Sequence, residues 1–176
     1  MASLTQRMIR AARLDVSLYE EVEADRGAMG QAMTVVILSS LAFGIGSLSH
    51  IGFRGLVWGT VAALIGWFVW AFLTYFIGTR ILPEAQTQAD MGQLLRTIGF
   101  SSSPGILRVL GFVPGLWGLI AFVAAIWMLI AMVIAVRQAL DYQSTWRAVA
   151  VCVLGWLIQA GVLFFLYGFS RTFPPA

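Results

Sequence analysis

Residues 92–115 read GQLLRTIGFSSSPGILRVLGFVPG, and this stretch decides how many times the chain can cross a membrane. It lies in a strongly apolar sequence, yet it contains two arginines, three consecutive serines and two prolines. Charges are costly at membrane depth, and proline interrupts the hydrogen bonds of a helix. The segment therefore specifies something other than a plain hydrophobic crossing.

The composition of the whole chain is typical of a membrane protein. Of its 176 residues, 60% are hydrophobic and 11% are charged, and the mean hydropathy is +0.87. An ordinary soluble domain is roughly half apolar and about a quarter charged. A chain of this length could not bury so much apolar surface in one aqueous core. The sequence therefore predicts an all-α integral membrane protein.

The charged and reactive residues exclude several functional classes. All eleven basic residues are arginine, which suits phosphate recognition, although a GC-rich genome explains the same bias. The net charge of +3 suits a membrane surface, and no basic patch with interleaved aromatic residues indicates nucleic-acid binding. The single cysteine, Cys152, and the single histidine, His50, lack the partners that a disulfide or a metal site needs. We expect structural roles for both, with no metal and no cofactor.

Residues 1–27 are predicted to lie on the membrane surface rather than to cross it. Apolar residues recur at helical spacing over residues 4–22, and Arg7, Arg10 and Arg13 precede an acidic stretch. This pattern predicts one amphipathic helix whose arginines contact anionic lipid headgroups. Docking on the protein's own cytoplasmic face explains the pattern equally well. A cleavable signal peptide is not expected, because polar acidic residues separate the arginines from the first apolar run.

Four apolar segments outside residues 92–115 are long enough to span a bilayer, which takes about 20 residues. They are residues 29–48, 55–78, 116–136 and 147–167. Together with the third element between them, they define a transmembrane bundle over residues 28–170. A short polar tail follows at residues 171–176.

Arginine placement favours five crossings over four, because cytoplasmic loops are enriched in Lys and Arg. If residues 92–115 cross, the far side receives only Arg54 and Arg171. If they do not cross, Arg137 and Arg147 also move to the far side and the asymmetry weakens. We therefore expect five spans, the third one short or broken, in a bacterial cytoplasmic (inner) membrane. The amino terminus would lie in the cytoplasm and the carboxyl terminus outside.

The third element is predicted to be a broken span. Residues 93–100 form a short amphipathic helix in this interpretation. The hydroxyls of Ser101, Ser102 and Ser103 could cap the following helix or satisfy freed backbone groups, and Pro104 suits a first turn. Non-helical backbone at membrane depth is tolerated only where it is buried in protein or lines a watery cavity. We therefore expect this element to line such a cavity.

Arg108 is the candidate site residue of highest interest, together with the three serines. A charge at membrane depth should reach a headgroup or find a partner within the bundle. One interpretation is contact with a lipid phosphate, another anionic ligand or a protein partner. The alternatives are snorkelling to the interface or an ion pair with Asp90 or Asp141.

The same region carries a family resemblance. Three segments, ADMGQLLRTIGFSSSPGILRVLGFVPG, AAIWMLIAMVIAVRQALDYQSTWRAVAV and DVSLYEEVEADRGAMGQAM, resemble bacterial members of the Yip1 domain family. The resemblance covers residues 14–169 and rests on a Gly-Phe-Ser run, two spaced prolines, and a following Trp and Arg-Ala pair. It implies a five-span fold with a cytoplasmic amino terminus.

The cellular role of eukaryotic family members is not carried over to this chain. Those members act in early secretory membrane traffic and associate with Rab-type GTPases. Their acidic-Leu-Tyr-Gly-Pro motif survives here at best as Ser17, Leu18, Tyr19 and Glu20, and the sequence shows no counterpart of their long amino-terminal region. For bacterial members the resemblance implies a fold and no activity.

No enzymatic motif is present in the sequence, so we expect no catalytic residues. The expected function is that of a non-enzymatic scaffold, assembly factor or accessory subunit that binds other membrane proteins or lipid. The alternative is a lipid-handling or transport-related protein that uses a cavity around residues 101–108. The expected partners are membrane lipids and other integral membrane proteins, and self-association stays open.

Overall fold

The computed structural model describes residues 2–113 and 115–172, and it describes side chains apart from those of residues 49–51, 163 and 165–172. This part of the chain is helical and contains no strand. The helices are α1 (Leu4–Ala12), α2 (Val16–Ala24), α3 (Met29–Gly46), α4 (Leu48–Phe76), α5 (Met91–Ser101), a 3₁₀ helix (Ser103–Phe112), α6 (Trp117–Ala139) and α7 (Thr145–Thr172). A short 3₁₀ turn (Arg26–Ala28) precedes α3, and a π-helical turn (Ile77–Ile81) continues α4. The side chain of His50 and all but the start of the predicted tail lie outside the described residues.

Four of the described helical segments are long and apolar enough to cross a membrane. They are Arg26–Gly46, Gly52–Ile81, Trp117–Ala139 and Thr145–Val162. At about 1.5 Å per residue, each reaches or approaches the roughly 30 Å of a hydrocarbon core. These segments agree with the four long spans predicted from the sequence. The prediction of an all-α integral membrane protein is confirmed.

The third element consists of α5 and the 3₁₀ helix, which lie alongside α3. A Cβ atom on Gly99 would be 2.8 Å from Cβ of Ala32, so only glycine allows α5 to approach α3 this closely. Farther along, Gly105 lies against Ser39, and Gly46 lies against the backbone carbonyl of Arg108. The third element therefore accompanies α3 from the level of Ala32 to the end of that helix.

The break in the third element falls at the three serines. The Ser101 hydroxyl donates to the carbonyl of Ile98, and the Ser103 hydroxyl donates to the carbonyl of Phe100, each at 2.7 Å. Both carbonyls belong to the last turns of α5. The predicted satisfaction of freed backbone groups is thus confirmed for Ser101 and Ser103, whereas capping of the following helix is wrong, because Ser102 at its N-cap makes no side-chain hydrogen bond to it. Pro104 lies in the first turn of the 3₁₀ helix, as expected.

The amino-terminal segment forms two short helices, so the prediction of one continuous helix over residues 4–22 is wrong. The chain turns at Leu14, whose φ is 61°, and the Asp15 side chain then accepts a hydrogen bond from the backbone N–H of Ser17 to begin α2. Leu18, Tyr19 and Val22 of α2 are completely buried in one apolar cluster with residues of α3, α5 and α6. The two helices therefore dock on the bundle.

Candidate intramembrane site around Arg108

Arg108 is held inside the bundle, and no described residue serves as its counterion. Its guanidinium carbon lies 5.5 Å from the centre of the Phe43 ring, and its Nη2 contacts the sulfur of Met128. Its Nε is buried and has no hydrogen-bond partner among the described residues. None of the ion pairs found in the described part of the chain includes Arg108. The phenyl ring offers some cation–π attraction, but it leaves the buried Nε–H group unsatisfied.

Neither ion pair that the sequence left open for Arg108 is formed. Asp90 lies at the start of α5, where its side chain accepts a hydrogen bond from the backbone N–H of Gln93. Asp141 lies in the loop after α6, where its carbonyl accepts from Gln86. Both are at the end of the bundle that holds the amino-terminal helices, whereas Arg108 lies beside the last turn of α3.

A cavity of about 520 Å³ adjoins Arg108. Its walls are mostly apolar and come from α3, α4, α5, α6 and α7. The polar side chains that line it include Ser39, Ser102 and Gln159, and none of these three takes part in a side-chain hydrogen bond with another described residue. Trp70 also lines the cavity, and its buried indole N–H has no partner there. This volume is within the range of about 300–1,000 Å³ that is usual for small-ligand sites.

The structure brings only part of the sequence-predicted site together. Arg108 and Ser102 line the cavity, whereas Ser101 and Ser103 are buried and use their hydroxyls within the third element. Ser39 and Gln159 were missed, because neither stands in a local motif and both reach the cavity only through helix packing. The expectation that the third element lines a cavity remains supported by the position of Arg108 and Ser102.

A second, more apolar cavity of about 750 Å³ lies between α6 and α7. It shares Trp70, Met128 and Met132 with the first cavity. Helix α7 therefore packs loosely against α6 along this part of its length.

The three amino-terminal arginines occupy different environments. Arg7 is only 4% exposed, and its guanidinium lies 2.9 Å from a carboxylate oxygen of Glu21 and 2.7 Å from one of Asp25. Arg10 lies 2.8 Å from a carboxylate oxygen of Asp15 and also pairs with Glu21. The hydrogen bond from Arg7 lowers the pKa of Asp25. Arg10 therefore pairs within the amino-terminal segment itself, Arg7 also donates to Gln31 of α3, and Arg13 is exposed.

Hydrogen bonds from the side chains of Arg96 and Gln93 on α5 fasten α2 to α5. The side chain of Arg96, 5% exposed, donates to the carbonyl of Val22 at 2.9 Å and to that of Glu23. The Glu23 carboxylate accepts a hydrogen bond from Gln93 at 3.1 Å. Burial, followed by repulsion from Asp141, raises the pKa of Glu23 to about 7. Glu20 and Asp90 raise it further, and Arg96 opposes them.

Comparison with known proteins identifies a family and nothing closer. The model of the Yip1 domain matches residues 17–167, which is most of the chain. Neither a curated protein nor a solved structure matches the sequence.

Proposed function

The chain belongs to the Yip1 domain family, and we propose that it is a non-enzymatic scaffold, assembly factor or accessory subunit of a bacterial cytoplasmic membrane. In this proposal the transmembrane bundle binds other integral membrane proteins or lipid. The docked amino-terminal helices lie on the cytoplasmic side, and the carboxyl terminus lies outside.

Five crossings are part of this proposal. The third element supports it, because α5 and the 3₁₀ helix accompany α3 over most of the length of that helix. At about 1.5 and 2.0 Å per residue, their 11 and 10 residues have a summed length of roughly 36 Å. Reporter fusions test this topology. A reporter fused after Asp141 should be located in the cytoplasm, and one fused after Thr172 should be located on the opposite side of the membrane. Finding both on one side would remove the five-span arrangement.

The observation that carries the scaffold proposal is the exposed face of α4. Only 6% of the most apolar part of Gly52–Ile81 is buried within the protein, compared with 39% of the corresponding part of Arg26–Gly46. Large apolar residues are exposed along one face at helical spacing, namely Trp58, Val61, Ile65, Phe68 and Phe72. Aromatic side chains are enriched in protein interfaces, and close packing drives helix association in membranes.

Affinity purification from native membranes in mild detergent tests the scaffold proposal. We expect a membrane protein, or a second copy of this chain, to accompany the wild type in a constant ratio. Substitution of Trp58 and Phe68 by alanine should remove the companion, whereas Phe122→Ala on α6 serves as the matched exposed control. A purified chain that is monomeric and without a companion in constant ratio would reject the scaffold proposal.

The second candidate function is lipid handling, and the cavity beside Arg108 favours it. An intramembrane cation that faces mostly apolar walls is suited to hold an amphiphile. Under this proposal the purified wild type retains lipid in the cavity, and filling the cavity reduces the amount retained.

A further inference from the structure

Two buried N–H groups at the first cavity, Nε of Arg108 and the indole N–H of Trp70, have no acceptor among the described residues. Arg108 contributes a guanidinium whose Nε has no partner, and the hydroxyls of Ser39 and Ser102 lie on the same lining. Removing a cation from water is unfavourable unless anionic or hydrogen-bonding groups surround it. Among the described residues no carboxylate fills this role for Arg108. An oxyanion from outside the chain would supply both the counter-charge and the hydrogen-bond acceptors that the described residues do not give Arg108.

The remaining walls of the cavity suit a hydrocarbon chain. The cavity follows α4 from Gly59 to Trp70, a distance of roughly 16 Å at 1.5 Å per residue. At Gly59 and Gly66 an added Cβ atom would meet nothing within 4 Å, so the glycines leave open space along this path. The path is lined chiefly by alanine, valine, methionine and aromatic side chains.

We propose that this cavity binds an anionic single-chain lipid, or one acyl chain of an anionic phospholipid, with its phosphate or carboxylate on Arg108 and its chain along α4. The planar guanidinium can donate two parallel hydrogen bonds to either oxyanion. The hydroxyls of Ser39 and Ser102 add further donors. The inference rests on the second candidate function and adds to it the headgroup chemistry and the residue that recognises it.

Lipid titration of the purified full-length protein, followed by native mass spectrometry, tests the proposal. Three probes carry the same oleoyl chain: oleate, lyso-phosphatidylglycerol and neutral monoolein. The first two distinguish a carboxylate from a phosphate source, and monoolein measures the contribution of the chain alone. Arg108→Gln removes the proposed headgroup contact, and Arg54→Gln is the matched control, because Arg54 is an exposed arginine that does not line the cavity.

A second pair of variants keeps the test valid if Arg108→Gln does not fold. Gly66→Leu fills the cavity while Arg108 is retained, and Gly118→Leu places the same side chain on an open surface of α6. We expect at least one anionic probe to bind the wild type about tenfold more tightly than monoolein. Arg108→Gln should abolish this preference, and Gly66→Leu should weaken all probes. Both controls should stay within about twofold of the wild type.

The outcomes separate the inference from the function on which it rests. Equal binding of anionic and neutral probes, with loss of both in Gly66→Leu, would overturn the role of Arg108 and leave lipid handling standing. An unchanged preference in folded Arg108→Gln would also overturn that role. Binding of no probe to the wild type would overturn both.

Discussion

Replacing Arg96 by methionine should release the amino-terminal helices from the bundle. The side chain is almost completely buried and donates to the carbonyls of Val22 and Glu23 at the end of α2. Hydrogen bonds from a charged donor contribute about 1.5–3 kcal/mol each. Two at the lower value give about 3 kcal/mol, which corresponds to a change on the order of 100-fold in the opening equilibrium of α2. Because methionine keeps most of the apolar volume of the arginine side chain, the change in the opening equilibrium of α2 comes mainly from the lost hydrogen bonds.

Hydrogen–deuterium exchange followed by mass spectrometry measures this effect directly. Peptides from α2 (Val16–Ala24) should exchange much faster in Arg96→Met, while peptides from α6 (Trp117–Ala139) should stay protected because the bundle itself remains packed. Arg80→Met is the matched control, since Arg80 is exposed at the same end of the bundle. Unchanged protection of α2 would refute the assignment of Arg96 as its anchor, and faster exchange throughout would show that Arg96 supports the whole bundle instead.

Two further predictions concern stability in detergent. The raised pKa of Glu23 means that its contribution to folded stability is fully present below about pH 4.5, the ordinary value for the side chain, and is lost as the pH rises through about 7. Glu23→Gln should therefore increase the free energy of unfolding at pH 8 by about 1–3 kcal/mol, seen as a higher midpoint of thermal unfolding, and leave the midpoint unchanged at pH 4. An equal effect at both pH values would contradict the interpretation of Glu23 as a buried carboxylate. Gly99→Leu should lower the free energy of unfolding by about 1–3 kcal/mol or more, because the Cβ of the leucine would lie 2.8 Å from that of Ala32. Gly118→Leu, where the Cβ has open space, is the comparison, and similar midpoints for the two variants would argue against close packing of α5 on α3.

The long spans and the family were accessible from the sequence because their signals are local. A run of about 20 apolar residues has to be placed in the bilayer whatever its neighbours do. The run of serines and Pro104 likewise marked the break between α5 and the 3₁₀ helix. Both features depend on residues that are adjacent in the chain, so patterns alone predict them.

The amino-terminal segment shows where local patterns stop being sufficient. The spacing of its apolar residues is compatible with one helix, but Leu14 adopts a left-handed conformation and Asp15 begins a second helix. Opposite charges explain why the two helices fold back, since Arg7 meets Glu21 and Asp25 across the turn. Periodicity cannot distinguish a surface helix from a docked pair, because both bury one face.

The sequence by itself determined that this chain is a helical membrane protein of the Yip1 domain family, and it singled out Arg108 as a charge in an unusual place. Only the tertiary structure decided what surrounds that charge. In the folded protein Asp90 and Asp141 lie away from Arg108. The hydroxyls of Ser101 and Ser103 donate to carbonyls of α5, whereas Ser39 and Gln159 line the cavity. The physical reason is that hydropathy and turn signals act over neighbouring residues, whereas the partner of a buried charge is set by which faces of distant helices pack together.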